Sequence, residues 1–328
     1  MAKNKQVTPV RKVTKVHQKS QRTASHAGFH YHSLYQCCPM KWFIKFILRI
    51  ESKSTAVPLI NGAAFHEGKA TFYLTGSEKK ALNKVKSEIK DRQEEFADRQ
   101  EFLSVLERCP ILLQHWIDRL GKGDLKRFNF LGVEDEIILP IPGTPYIFTM
   151  RLDAVVQEKK GDKSIYIMET KTSSFSIRTT EMGVYYGDQA TAYTWGAKNF
   201  YKKPIYGVIP DIAYWNKKAT GTHNISCVRG DIIMRSDRRI HQFLSSTAQL
   251  QTEIAQKVEA YKKGYDPYML FPRNTYYCNA FFKPCEYAGI CDNNLTKIKR
   301  LPSDLKRNRS WTKPIPNDYV EDSCSGLT

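Results

Sequence analysis

Two acidic residues and one lysine occupy positions that a β-hairpin would bring together. Asp153 precedes Gly161 by eight residues and Glu169 follows it by eight, and both lie in segments rich in Ile, Val, Tyr and Phe. With the turn centred on Gly161, an antiparallel ladder places Asp153 opposite Glu169. Lys171 lies two residues beyond Glu169 and so shares its face of the strand. The spacing therefore predicts that the three side chains converge.

These residue types indicate metal-assisted hydrolysis of a phosphodiester. Facing carboxylates repel each other unless a cation lies between them, and Mg²⁺ prefers oxygen ligands. Such a cation activates water and polarises a phosphoryl oxygen, while the ammonium of Lys171 can orient the attacking water. A surface ladder of salt bridges is the alternative interpretation. The apolar neighbours of Asp153 and Glu169 favour the metal site, because a charge among them is costly unless it is paired.

Helices and strands must position these residues. Apolar patterning predicts helices over 34–50, after Pro58, and over 78–120, 186–200 and 237–263, and strands over 133–141, 145–157, 164–172, 205–215 and 224–234. One apolar face of the 78–120 region contains Leu82, Val85, Ile89 and Phe96. Pro110 is expected to begin a new helix there, because proline is tolerated in a first helical turn.

Two further motifs extend the pattern. His66 lies in the segment GAAFHE, and Gln189 and Tyr193 lie one helical turn apart. Each motif alone also fits a structural role in a helix. The order along the chain is His66, Asp153, Glu169-Thr170-Lys171, Gln189 and Tyr193. This order resembles the PD-(D/E)XK nuclease superfamily and its RecB-like branch, although Leu152 stands where the proline of the signature would be.

The resemblance implies a restriction-endonuclease-like α/β fold, in which helices flank a central mixed sheet and the helices of 78–120 are inserted before the hairpin. It implies a site for Mg²⁺ or Mn²⁺ formed by His66, Asp153, Glu169 and the carbonyl of Thr170. It further implies that Lys171 assists the nucleophilic water, and that Gln189 and Tyr193 contact the DNA backbone and brace the active site.

The chain has eight cysteines, and three of them form a compact C-terminal group. This group and one distant cysteine resemble the iron–sulfur RecB-like nucleases, such as the AddB nuclease domain and the CRISPR adaptation exonucleases. The resemblance implies a [4Fe–4S] cluster held by Cys38, Cys278, Cys285 and Cys291. Zinc is an alternative, but it usually needs Cys-x-x-Cys knuckles, which are absent. Buried thiols without a metal are another.

The charge of the chain predicts a polyanionic partner. Lys and Arg total 51 against 33 Asp and Glu, a net charge of +18. We expect a flexible basic arm over 1–28 that contacts phosphates, with a disordered solubilising tail as the alternative. We expect a basic tail over 293–328, with Lys297, Lys299 and Arg300 contacting nucleic acid.

Other classes are disfavoured. No apolar stretch reaches the roughly 18 residues that a membrane-spanning helix needs, and the basic N-terminus has no apolar segment of a secretory signal. We therefore expect an intracellular, cytoplasmic protein of a bacterial or phage-infected cell, without a membrane partner. There is no Gly-x-x-x-x-Gly-Lys-Ser/Thr loop, so a helicase or recombination partner would be a separate chain.

Together these expectations describe a nuclease domain over 29–292, with a cysteine segment over 278–291 that packs with Cys38. The expected activity is a metal-dependent deoxyribonuclease, an exonuclease on single-stranded DNA or DNA ends, in recombination, repair or phage DNA processing. A catalytically silent iron–sulfur DNA-binding or scaffold protein is one alternative, and an RNA-directed nuclease is another.

Overall fold

A five-stranded mixed sheet lies at the centre of the molecule. The computed structural model describes residues 27–217, 223–280, 284–292, 295 and 301–308. The strands are β1 (Ile50–Ser52), β2 (Phe128–Pro140), β3 (Ile147–Glu158), β4 (Ile165–Ser173), β5 (Gly207–Lys217), β6 (His223–Arg229) and β7 (Leu305–Arg307). The central sheet has the order β2-β3-β4-β5-β6, and β1 pairs with β7 in a separate ribbon. Only β4 and β5 pair in parallel among the described strands.

Helices cover both faces of this sheet. They are α1 (Phe29–Cys37), α2 (Pro39–Trp42), α3 (Val57–Thr75), α4 (Glu78–Asp91), α5 (Arg99–Trp116), α6 (Lys122–Arg127), α7 (Ile177–Tyr186), α8 (Asp188–Tyr201), α9 (Asp237–Lys262), α10 (Pro267–Leu270) and α11 (Ala288–Cys291). None of these helices is both long and apolar enough to span a bilayer. The predicted α/β class with a mixed sheet flanked by helices is confirmed.

Alternation along β3 and β4 creates the two packed faces, because successive strand residues point to opposite sides. Ala154 and Met168 pack with α3, α4 and α5 in one hydrophobic core. Val155 and Ile167 pack with α8 and α9 in a second core. The sheet therefore separates the inserted helices from the helix that carries Gln189 and Tyr193.

A third core joins the two ends of the described chain. Aromatic residues from α1 and α2 pack against residues that follow α9. Trp42 stacks on Phe271 with ring centroids 5.7 Å apart, and the hydroxyl of Tyr287 donates to the carbonyl of Ile50 at 2.9 Å. This core holds Cys38 together with the C-terminal cysteine segment.

Two predicted helix boundaries are wrong. The helix predicted over 34–50 begins earlier and is interrupted at Cys38, which is extended because Pro39 disfavours a helical conformation before it. Pro110 does not begin a helix but lies inside α5. The side chain of Asp98 instead caps α5 by accepting from Glu101 N at 2.8 Å, and burial around Pro110 compensates for its missing N–H.

Candidate active site

The β3–β4 hairpin sets the frame of the site. Gly161 lies in its turn with a φ of +80°, a conformation that favours glycine. Ala154 pairs with Met168, so the same register continued by one residue places Asp153 across from Glu169. At this point the amide N–H of Thr170 donates to Asp153 Oδ2 at 2.7 Å. At the end of the strand pairing, a hydrogen bond from the backbone to a carboxylate thus takes the place of one between the two backbones.

Lys171 links the hairpin to α8. Its Nζ lies 2.7 Å from Glu169 Oε1 and donates to Gln189 Oε1 at 2.7 Å. The amide nitrogen of Gln189 donates in turn to the hydroxyl of Tyr193 at 2.8 Å. Four residues predicted from the sequence therefore form one continuous chain of polar contacts.

His66 and Glu134 complete a group of potential ligands around Asp153. His66 Nδ1 lies 3.2 Å from Asp153 Oδ1 and 3.7 Å from Glu134 Oε1. One ligand atom from each residue lies within 4.8 Å of those of the other two. α3 carries His66 over the end of the sheet, so the donors come from one helix and two strands.

Sequence reasoning missed Glu134. It lies in an acidic run, Glu134-Asp135-Glu136, whose members have different roles. Asp135 accepts a hydrogen bond from Tyr201, and Glu136 forms a salt bridge with Arg151. The acidic run was the available signal, but the register of β2 decides which carboxylate faces the site.

The charges at the site shift several pKa values. Burial lowers the pKa of His66, but Asp153 and then Glu134 outweigh it and raise the value to about 9. Burial opposes ionisation of Asp153, yet His66 and the Thr170 amide hold its pKa below the usual range. Burial raises the pKa of Glu169, with Asp153 adding to the effect and Lys171 opposing it. Burial would lower the pKa of Lys171, but Glu169 raises it above its ordinary value.

Glu169 retains an unused acceptor. Its Oε2 atom is buried and has no hydrogen-bond partner among the described residues, although burial of an unpaired carboxylate oxygen is costly. His66, Glu134 and Asp153 form a donor group that suits a divalent cation, and the hairpin register places Glu169 across from Asp153. Whether the Thr170 carbonyl is a ligand stays a prediction.

A buried ion pair lies behind β4. Lys69, one turn after His66 on α3, contacts Asp211 on β5 and the hydroxyl of Thr170. The indole N–H of Trp116 also donates to Asp211 Oδ2, at 3.1 Å. These contacts connect α3, α5, β4 and β5 directly behind the residues of the site.

The cysteines meet in the third core. Asn274 N donates to Cys38 Sγ at 3.5 Å, and Cys285 N donates to the carbonyl of Cys278 at 2.7 Å. Burial raises the pKa of Cys285 and raises that of Cys291 to about 11, and the Cys38 thiol adds to both effects. Cys38, Cys285 and Cys291 thus lie in the same hydrophobic core, and the carbonyl of Cys278 accepts a hydrogen bond within the same segment.

Exposed aromatic residues lie close to the site residues in the sequence. Phe175, Tyr185 and Tyr186 are 62%, 52% and 68% exposed. Phe175 follows Lys171 by four residues, and Tyr186 precedes Gln189 by three. The guanidinium of Arg235 lies 5.8 Å from the ring centroid of Tyr185. We call Phe175, Tyr185 and Tyr186 the aromatic surface.

Part of the predicted nucleic-acid interface lies outside the described residues. This applies to Lys297, Lys299 and Arg300, and to residues 1–26 of the basic arm. Their contact with nucleic acid stays a prediction from charge.

Comparisons with known proteins give three results. A family model of the PD-(D/E)XK nuclease superfamily matches residues 31–292. A search of curated proteins gives no match. Among solved structures, a candidate exonuclease from Eubacterium rectale is 13% identical, with a TM-score of 0.43 over 90% of this chain and 92% of that chain. The protein SSO0001 is 15% identical, with a TM-score of 0.26 over 61% of this chain and 77% of that chain.

Proposed function

Since the chain belongs to the PD-(D/E)XK nuclease superfamily, we propose that it is a metal-dependent deoxyribonuclease whose active site is formed by Asp153, Glu169 and Lys171. Membership makes the chain a nuclease, and nucleases of this superfamily use divalent metals. The observation that carries the proposal is the convergence of these three side chains at the open end of the β3–β4 pairing.

The residues of the site have different roles in hydrolysis. Asp153, Glu169 and His66 would hold Mg²⁺ or Mn²⁺, which when bound activates water and polarises the phosphoryl oxygen. The hydrogen bond from Thr170 N fixes the orientation of Asp153. The ammonium of Lys171 stays protonated, because Glu169 raises its pKa, and can therefore offset negative charge on the phosphate.

Gln189 and Tyr193 position Lys171. Gln189 accepts from Lys171 and donates to Tyr193, so its amide has one defined orientation. Burial next to Glu169 raises the pKa of Tyr193 well above its ordinary value, and its hydroxyl stays protonated. This supports the bracing role that the resemblance implies.

The proposed substrate is single-stranded DNA. Unpaired bases stack on aromatic side chains regardless of sequence, and the aromatic surface lies on the segments that flank Lys171 and Gln189 in the chain. The net charge of +18 supplies attraction to phosphates. Exonucleolytic action is proposed from the resemblance to the RecB-like branch, as are a role in recombination, repair or phage DNA processing and a separate helicase partner.

A [4Fe–4S] cluster is the proposed ligand of the four cysteines. The segment with Cys278, Cys285 and Cys291 packs against Cys38, which lies more than 230 positions away in the sequence. The sequence has no Cys-x-x-Cys knuckle of the kind that structural zinc sites usually contain, which favours a cluster over zinc.

The nuclease activity is tested with end-labelled linear single-stranded DNA, circular single-stranded DNA, duplex DNA and RNA, each with Mn²⁺ or EDTA. We expect linear single strands to be degraded with Mn²⁺, and degradation to be lost with EDTA or in Glu169→Gln. The exposed Glu136→Gln is the matched control and should retain activity. Binding without cleavage would favour the scaffold alternative, cleavage of circles an endonuclease, and cleavage of RNA alone an RNA-directed enzyme.

The cluster is tested by anaerobic purification, followed by iron and sulfide analysis and visible absorption. Cys285→Ala should lose iron and colour, whereas Cys37→Ala, next to the proposed ligand Cys38, should retain both. Equal iron content and colour in wild type and Cys285→Ala would contradict the assignment.

A further inference from the structure

Glu134 reaches the site through an unusual conformation of β2. The neighbouring pairs Val133–Ala154 and Asp135–Leu152 place Glu134 across from Asp153. The register shifts just before this point, between Phe130 and Gly132, and Glu134 has a φ of +55°. A residue other than glycine in this left-handed region is strained, because its Cβ lies too close to the following carbonyl oxygen. The chain thus tolerates a strained backbone where the carboxylate meets His66.

The net charge of the other ligands would need one more carboxylate to balance a divalent cation. Lys171 lies 2.7 Å from Glu169 Oε1 and offsets its negative charge. An imidazole that binds a metal is neutral, so with His66 as a ligand Asp153 supplies a single net negative charge. The carboxylate of Glu134 raises this to two, which balances a divalent cation.

An independent observation points to a ligand at the same place. Glu169 is 1% exposed, and its Oε2 has no hydrogen-bond partner among the described residues. The register of the β3–β4 hairpin places this carboxylate across from Asp153, which belongs to the same group as Glu134. A cation held there would satisfy an oxygen that protein contacts leave unpaired.

We propose that Glu134 is a metal ligand, so that the cation site comprises His66 and three carboxylates from β2, β3 and β4. This rests on the proposed function, because it adds a residue to the same site. The edge strand β2 then contributes directly to the chemistry, and its irregular register has a function.

The test is titration of the purified full chain with MnCl₂ by calorimetry, comparing Glu134→Gln with Glu136→Gln. Both variants remove one carboxylate from the same strand, but Glu136 lies outside the site and 61% of its side chain is exposed. We expect the dissociation constant for Mn²⁺ to increase at least about tenfold in Glu134→Gln. In Glu136→Gln it should stay within about twofold of wild type.

A second variant, Glu134→Asp, keeps the charge and withdraws the carboxylate by one methylene. It should also weaken Mn²⁺ binding, and it provides the test if Glu134→Gln does not fold. Unchanged affinity in Glu134→Gln, or in Glu134→Asp where only that variant folds, overturns the inference. Loss of affinity in Glu169→Gln alongside unchanged affinity in Glu134→Gln overturns only the inference. Absence of Mn²⁺ binding by wild type overturns the proposed function as well.

Discussion

Lys69 and Asp211 form a salt bridge buried between α3 and β5, at the back of the strand that carries Glu169 and Lys171. Their side chains are 3% and 0% exposed. Lys69 also contacts the hydroxyl of Thr170, so the pair joins the helix of His66 to the active-site strand. Removal of one partner would leave the other charge buried and unpaired.

We therefore expect Lys69→Met to lower the free energy of unfolding by about 3 to 5 kcal/mol, as measured by urea denaturation. The double variant Lys69→Met/Asp211→Leu should recover much of this loss, because no lone charge remains buried. Lys84→Met, which removes a partly exposed ammonium, is the control and should cost less than about 1 kcal/mol. A double variant no more stable than Lys69→Met would contradict this interpretation.

Loss of the Gln189 amide should slow catalysis more than substrate binding. We expect Gln189→Leu to lower kcat about 10- to 100-fold, because Lys171 loses the acceptor that orients its ammonium. Tyr193→Phe removes only the outer contact of Gln189 and should have a smaller effect. Gln256→Leu, at an exposed position of α9, is the control in single-turnover assays. An unchanged kcat in Gln189→Leu would refute the positioning role.

The aromatic surface should contribute to binding of unpaired bases. We expect Tyr185→Ala and Tyr186→Ala each to weaken binding of single-stranded DNA by about 1 to 3 kcal/mol, since each removes a stacking face. Fluorescence anisotropy in EDTA measures binding without cleavage. Tyr265→Ala, at a 64% exposed tyrosine after α9, should bind like wild type. Equal losses in all three variants would show that the effect is not specific to this surface.

His32 should make folding sensitive to mild acid. It is buried, stacks on Phe148 and contacts Gln251, and burial lowers its pKa below the usual value. The folded state therefore binds fewer protons than the unfolded state, whose histidine titrates near about pH 6.5. Stability is retained above that pH and decreases below it, by up to about 2 kcal/mol at pH 5.

The measurement is the free energy of unfolding between pH 7.5 and pH 5 in wild type and His32→Gln. The variant should be less stable at neutral pH, yet its stability should depend less steeply on pH. Parallel curves for the two proteins would assign the acid sensitivity to other groups.

Basic residues at the N-terminus should make binding depend strongly on salt. Residues 1–26 contain seven Lys and Arg. Deletion of these residues should make the slope of log Kd against log salt less steep, by about 0.7 for each phosphate of a single strand that the arm neutralises. Identical slopes for the truncated and full chains would favour a solubilising role for the arm.

The hairpin could be predicted from the sequence because its geometry is local. Gly161 marks the turn, and counting outward from it gives the register that places Asp153 near Glu169. Gln189 and Tyr193 could be paired in the same way, from the helical repeat alone.

Residues brought together by irregular or long-range geometry could not be predicted. Glu134 depends on a register shift and a left-handed residue in β2, which apolar alternation does not reveal. Lys69 and Asp211 are 142 positions apart, and sequence patterns give no reason to pair two buried charges across a sheet. The position of Pro110 could not be predicted either, because packing around α5 overrides the preference of proline for a first helical turn.

Because the Thr170 amide donates a hydrogen bond to Asp153, its NMR signal should report on metal binding at that carboxylate. Its proton is held by a carboxylate, so a change in the electron density on that oxygen should alter the nitrogen and proton resonances of one peptide group. With selective isotopic labelling of threonine, NMR could follow how fully the metal site is occupied. The measurement needs neither substrate nor catalysis.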